Sequence, residues 1–233
     1  MPGLNDTPLW TPDGQHNVFE SRSHPNPGMY WIRADGSGEA QRLTNGENSQ
    51  FPASFSPNGK LLAYSQTSAS GNAEIWTSQV EGDADHPHLG KAERFVTSSG
   101  LQPGWRDRGA FTAPVFSPDG HWLAYQANET GTVEIFVQAF PGPGGKWQIS
   151  TGGGRLPIWS RDAEGGAREI YFLAPDQRIM TVAYTATGDS FVPGKARVWS
   201  EKRLTRLNVG LCVVKIQLGG DHNVNSTLSE RDP

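Results

Sequence analysis

The chain has 233 residues, of which 28 are Gly and 17 Pro, and only 35% are hydrophobic, a density of helix breakers that excludes a helical bundle. Eight Trp, ten Phe and five Tyr still supply large apolar surface, so the composition predicts a folded chain of short strands and many turns. A net charge of −4 without any basic run excludes the positive stripe that phosphate backbones require, and nucleic acid is not an expected partner.

Met1 to Asp6 lacks the basic patch and apolar stretch of a secretory leader. The longest apolar-rich segment, Leu207 to Leu218, carries Lys215 and is too short to span a bilayer. The single cysteine, Cys212, does not discriminate between redox compartments.

A repeat governs the rest. Leu9-Trp10-Thr11-Pro12-Asp13-Gly14 opens a first unit, with strands expected over Val18 to Ser21, Met29 to Ile32 and Gln41 to Thr44. Ser54-Phe55-Ser56-Pro57-Asn58-Gly59 opens a second, followed by Leu61 to Ser65, Glu74 to Ser78 and Arg94 to Thr97. Val115-Phe116-Ser117-Pro118-Asp119-Gly120 leads into Trp122 to Gln126, Val133 to Ala139 and Lys146 to Ser150. Ile158-Trp159-Ser160-Arg161-Asp162 precedes Glu169 to Leu173, Ile179 to Tyr184 and Arg197 to Trp199. The anchor aromatics are spaced 45, 61 and 43 residues apart, the middle step holding an insertion.

Pro presets φ for the second turn position, and Asp or Asn followed by Gly tolerates the turn geometry that follows. Regular four-stranded units of this length predict an all-β chain of β-propeller blades. The blades are expected at about 5–50, 51–100, 110–151 and 152–200, with an atypical tail over 201–233.

The Phe/Trp-Ser-Pro-Asp-Gly, Leu-Ala-Tyr and Glu-Ile-Phe/Trp series resembles the WD40-like PD40 repeats of TolB-type propellers, and in its third and fourth units the propellers of bacterial receptor-type serine/threonine kinases. The resemblance covers roughly residues 5–200 and implies a six-bladed, extracytoplasmic binding module. Kinase motifs are absent: there is no His-Arg-Asp and no Asp-Phe-Gly. Four units fall short of six, and a stack of four blades leaves apolar faces uncovered, so a homo-oligomer completing the ring, or a closed four-bladed ring, is expected.

In a propeller the first strand of each blade lines the channel. Register on the four anchors places Asp6, Phe51, Thr112 and Arg155 there, with Asn5, Gln50 and Phe111 one step earlier and Asn48 nearby. Such residues predict a site for a protein or small-molecule ligand at the channel mouth. The alternative is a divalent-metal-dependent hydrolase of esters, lactones or phosphotriesters, holding Ca²⁺ or Zn²⁺ through oxygen or imidazole ligands. Its candidate ligands are Asp6, Glu47, Asn48, His86 and His88, the histidines lying in the dense run Glu81-Gly82-Asp83-Ala84-Asp85-His86-Pro87-His88. A third reading is the propeller of a serine peptidase separated from its catalytic domain. Trp105, with Arg106, Asp107 and Arg108, has no counterpart in the other units and is a candidate recognition element. Ser56, Ser117 and Ser160 repeat after each aromatic, which argues for a turn role over a nucleophile.

Overall fold

The computed structural model describes residues 5–22, 26–45, 49–67, 73–97, 113–129, 131–142, 144–160 and 168–204. These residues build four antiparallel sheets arranged as the blades of a β-propeller. The first blade contains β1 (Asn5–Trp10), β2 (His16–Ser21), β3 (Gly28–Arg33) and β4 (Gln41–Arg42). The second contains β5 (Gln50–Phe55), β6 (Leu61–Thr67), β7 (Ala73–Glu81) and β8 (His88–Thr97). The third contains β9 (Val115–Phe116), β10 (Trp122–Ala127), β11 (Glu134–Ala139) and β12 (Lys146–Gln148). In the fourth, β13 (Arg155–Trp159), β14 (Glu169–Leu173) and β15 (Arg178–Thr187) are followed by β16 (Ser190–Pro193) and β17 (Arg197–Arg203), both paired to β15.

The strand β16 is a departure from the expected four-strand unit. Strand β15 runs to Thr187, turns at Gly188 in a left-handed conformation (φ 54°) and returns. Its extension is Thr- and Ala-rich, so no apolar alternation announced it. Phe191, on the returning strand, is nonetheless buried and stacks on Tyr184 with ring centroids 4.9 Å apart.

The predicted turns have a common chemistry. Ser117 Oγ donates to Asp119 Oδ1 (2.6 Å) and accepts from the Trp122 amide (3.0 Å), while the Gly120 amide closes the turn on the Ser117 carbonyl (2.9 Å). Ser56 repeats this with Asn58, Leu61 and Gly59, and Thr11 accepts from the His16 amide at 3.0 Å. Ser160 accepts from the Glu169 amide at 2.9 Å. The recurrent hydroxyl therefore satisfies a strand amide that the turn would otherwise strand, which is the turn role its repetition suggested.

Alternation divides each blade into two faces. One, carrying the anchor aromatic, meets the preceding blade, and the other meets the following blade. Val18, Met29 and Trp31 of the first blade pack with Leu62 and Tyr64 of the second. Ala63 and Ile75 of the second pack with Phe116, Tyr125 and Phe136 of the third. Trp122, Ala124 and Val137 of the third pack with Trp159, Ile170 and Phe191 of the fourth. Among the described residues no hydrophobic cluster joins the fourth blade to the first. Full burial of a side chain such as Trp122 or Ile135 contributes about 2–3 kcal/mol each, which makes these interfaces the main source of stability.

Candidate ligand-binding mouth

The innermost strands β1, β5, β9 and β13 lie side by side along the inner edge of the blades. Each carries an irregularity just before its anchor aromatic. Pairing with the second strand shifts between Asp6 and Leu9, between Pro52 and Ser54, and between Arg155 and Ile158. Thr7 (φ 52°), Ala113 (φ 43°) and Leu156 (φ 55°) occupy the left-handed region at equivalent places, three residues before Trp10, Phe116 and Trp159. A non-glycine residue in that region costs about 1–2 kcal/mol. Its recurrence in three blades marks a bulge that re-aims the residues at one end of the inner strands.

At that end of the first two blades a charged cluster forms. Asp6 faces Glu20 across the β1–β2 ladder. Arg22, just beyond β2, places Nε 3.1 Å from Glu20 Oε2 and Nη2 3.7 Å from Asp6 Oδ2. Its guanidinium also lies over the Phe51 ring, 5.5 Å from the centroid, so a cation–π contact ties the first blade to the second. Glu20 is almost wholly buried, and that burial, only partly opposed by Arg22, pushes its carboxyl up to about 7. Arg22 and Asp6 remain partly open to solvent. On the adjoining inner strands Gln50 Nε2 donates to Gln66 Oε1 at 2.7 Å, and the Leu156 amide donates to Gln126 Oε1 at 2.8 Å.

Two polar atoms on β1 and β5 are left over. Thr7 Oγ1 and Gln50 Oε1 are buried without a hydrogen-bond partner among the described residues. Buried polar atoms are paired in nearly all folded proteins, so these two, like the unpaired atoms of His16, Asn17, Arg42, Asn128 and Thr181 elsewhere in the blades, are where water or other polar atoms belong.

The sequence register placed Asn5, Asp6, Gln50, Phe51 and Arg155 on inner strands, and all five are there. Phe111, Thr112, Glu47, Asn48 and Trp105 to Arg108 lie outside the described residues. Register on the anchors could not find Glu20 and Arg22, because they sit on and just beyond the second strand. A signal existed: Glu20 shares the alternation phase of Val18, so a carboxylate occupies a position where the strand predicts an apolar side chain.

The histidine run serves a different end. His86 Nδ1 lies 3.1 Å from Asp83 Oδ1 and His88 Nε2 lies 3.3 Å from Glu81 Oε2, so the two imidazoles engage separate carboxylates. The hairpin between β7 and β8 reaches back to the first blade: Trp31 Nε1 donates to the Ala84 carbonyl at 3.2 Å, the Gln41 amide donates to the Asp85 carbonyl, and Arg33 Nη1 lies 3.7 Å from Asp85 Oδ1. It clasps two blades together. Strand order puts this hairpin two to three strands out from Asp6, roughly 10–14 Å at the usual strand spacing, so Asp6 does not share a centre with His86 and His88. Among the described residues no three His, Cys, Asp or Glu side chains converge as a metal-ligand set, and the candidate ligands Glu47 and Asn48 lie outside those residues.

The Gly-rich turn at 152–154 is likewise filled from within. The Gly152 and Gly153 amides both donate to Glu134 Oε1 at 2.9 Å, and Ser150 Oγ donates to Glu134 Oε2.

No known family profile matches the chain. Among solved structures it is similar to a TolB-assigned protein from Agrobacterium tumefaciens, at 16% identity and a TM-score of 0.52, covering 85% of this chain and 83% of that one. A puromycin-hydrolyzing peptidase from Mycobacterium tuberculosis is similar at 16% identity and a TM-score of 0.51, over 81% of this chain. A 6-phosphogluconolactonase-assigned protein from Bacteroides uniformis is similar at 15% identity and a TM-score of 0.50, over 82% of this chain. The chain spans 30% of that peptidase and 54% of that lactonase-assigned protein. At these identities the likeness is one of fold, and the fold is that of TolB-type β-propellers.

Proposed function

We propose that the chain is a binding module whose ligand, a protein segment or a small molecule, docks at the mouth formed by Asp6, Glu20, Arg22 and Phe51. The observation that carries this is the coincidence at one end of the inner strands of a partly open Asp–Arg–Glu cluster, held on the buried Phe51 ring, and two unpaired buried polar atoms. Arg22, partly open to solvent and resting on the buried Phe51 ring, offers donors to a carboxylate or backbone carbonyl. Preformed concave edges with a few convergent polar groups are where ligands bind on folds of this kind.

The repeat resemblance supports an extracytoplasmic setting for such a module, which fractionation of the cells that make it would test. Titration of a labelled library of capped tetrapeptides tests the site. Peptides that bind the wild-type chain should bind Arg22→Ala at least tenfold more weakly; equal binding to both, or binding to neither, would remove the reading.

A further inference from the structure

The four anchor aromatics hold equivalent places in their blades but have different surroundings. Phe55 packs edge-on against Trp31 of the first blade, with ring centroids 6.5 Å apart. Phe116 is buried among residues of the second blade. Trp159 is buried as well and donates its indole N–H to the Val115 carbonyl of the third blade at 2.9 Å. Each therefore faces the blade before it. Among the described residues no blade packs against the Trp10 face, and Trp10 is 53% exposed.

The rest of that face is equipped in the same way. Phe19 stacks on Tyr30 at 5.9 Å, repeating the Tyr125–Phe136 stack of the third blade at 6.0 Å. At the opposite end, Phe191 packs toward the third blade, so alternation along β16 puts Val192 on the face turned away from it. Val192 is 58% exposed. Leu156, also in the fourth blade, completes the set of large exposed hydrophobics among the described residues, and the two middle blades contribute none.

We propose that the Trp10 face of the first blade binds the Val192 face of the fourth blade of a second copy of this chain. The contact continues the existing series of three interblade interfaces. Its occupant is specified by that series: every other copy of the anchor aromatic is covered by the flat outer face of a four-stranded blade. Among the described residues the fourth blade is the one whose outer face meets no following blade. Ile158 holds the place in the fourth blade that Val115 holds in the third, so the carbonyl awaiting the Trp10 indole is that of Ile158 in the second copy. The contact is head-to-tail, and two such contacts close a ring of two chains.

Sedimentation velocity on the full chain tests this. The wild type should sediment as a species of about twice 25.3 kDa. Trp10→Glu and Val192→Glu should each weaken association by roughly thirtyfold or more, as expected for a central aromatic or apolar anchor, with unchanged far-ultraviolet circular dichroism. An equimolar mixture of the two variants keeps one intact pair of faces and should recover a dimer, which an unfolded variant could not do. A monomeric wild type, an oligomer indifferent to both substitutions, or a mixture that stays monomeric overturns the proposal.

Discussion

Replacing Glu20 by Gln probes the most unusual group of the mouth. Burial raises its carboxyl from the usual 4.5 to about 7, with Arg22 opposing the change through charge and a hydrogen bond. A carboxyl raised in the folded state binds its proton more tightly there than in the unfolded chain. Its contribution is therefore fully present below pH 4.5 and is lost as pH rises through about 7. The interval corresponds to an upper bound of about 3 kcal/mol. Gln has nearly the same shape, cannot ionise and keeps an acceptor for Arg22. Urea unfolding followed by Trp fluorescence at several pH values between 4.5 and 8 gives the stability of each protein, and the difference between them cancels the titration of all other groups. That difference, wild type minus variant, should fall by about 1–3 kcal/mol between pH 4.5 and 7 and stay level above. A difference that stays constant, or rises with pH, would falsify the reasoning, because it would show that the Arg22 pair outweighs burial.

Three further outcomes follow from the geometry. Ser117→Ala leaves the buried Trp122 amide without its acceptor, so the stability measured by chemical denaturation should drop by about 1–3 kcal/mol. Trp159→Phe keeps most of the packing but removes the bond to the Val115 carbonyl, for an expected loss of about 1–3 kcal/mol; a loss below a few tenths would mean that the carbonyl finds another donor. Replacing His86 and His88 together by Ala should leave the metal content of the purified protein unchanged, measured by plasma emission after dialysis, because each imidazole is committed to its own carboxylate.

Much of the fold was legible because the repeat is carried by steric and hydrogen-bonding necessities. Thr11, Ser56, Ser117 and Ser160 each satisfy a strand amide, and the aromatics ahead of them fill the gap between blades or, for Trp10, the edge where a gap would be. The inner-strand positions Asp6, Gln50, Phe51 and Arg155 followed from that register alone. Strand β16 did not, since Thr185, Ala186 and Thr187 carry no apolar alternation. Glu20 and Arg22 were missed because the register was laid on first strands, whereas Glu20 lies on the second strand, paired with Asp6, and Arg22 just beyond it. The run from Glu81 to His88 read as a metal cluster by residue type. Its role as a clasp depends on Trp31, Gln41 and Arg33 of another blade, contacts that residue types within the run cannot reveal.

The most direct test of the mouth as a binding site is amide chemical-shift mapping on the labelled chain titrated with a tetrapeptide that binds it. The largest changes are expected at the amides of Thr7, Arg22, Phe51 and Leu156, at one end of the inner strands. Changes concentrated instead at the interblade turns around Asp13, Asn58 and Asp119, or spread evenly over the blades, would contradict the account.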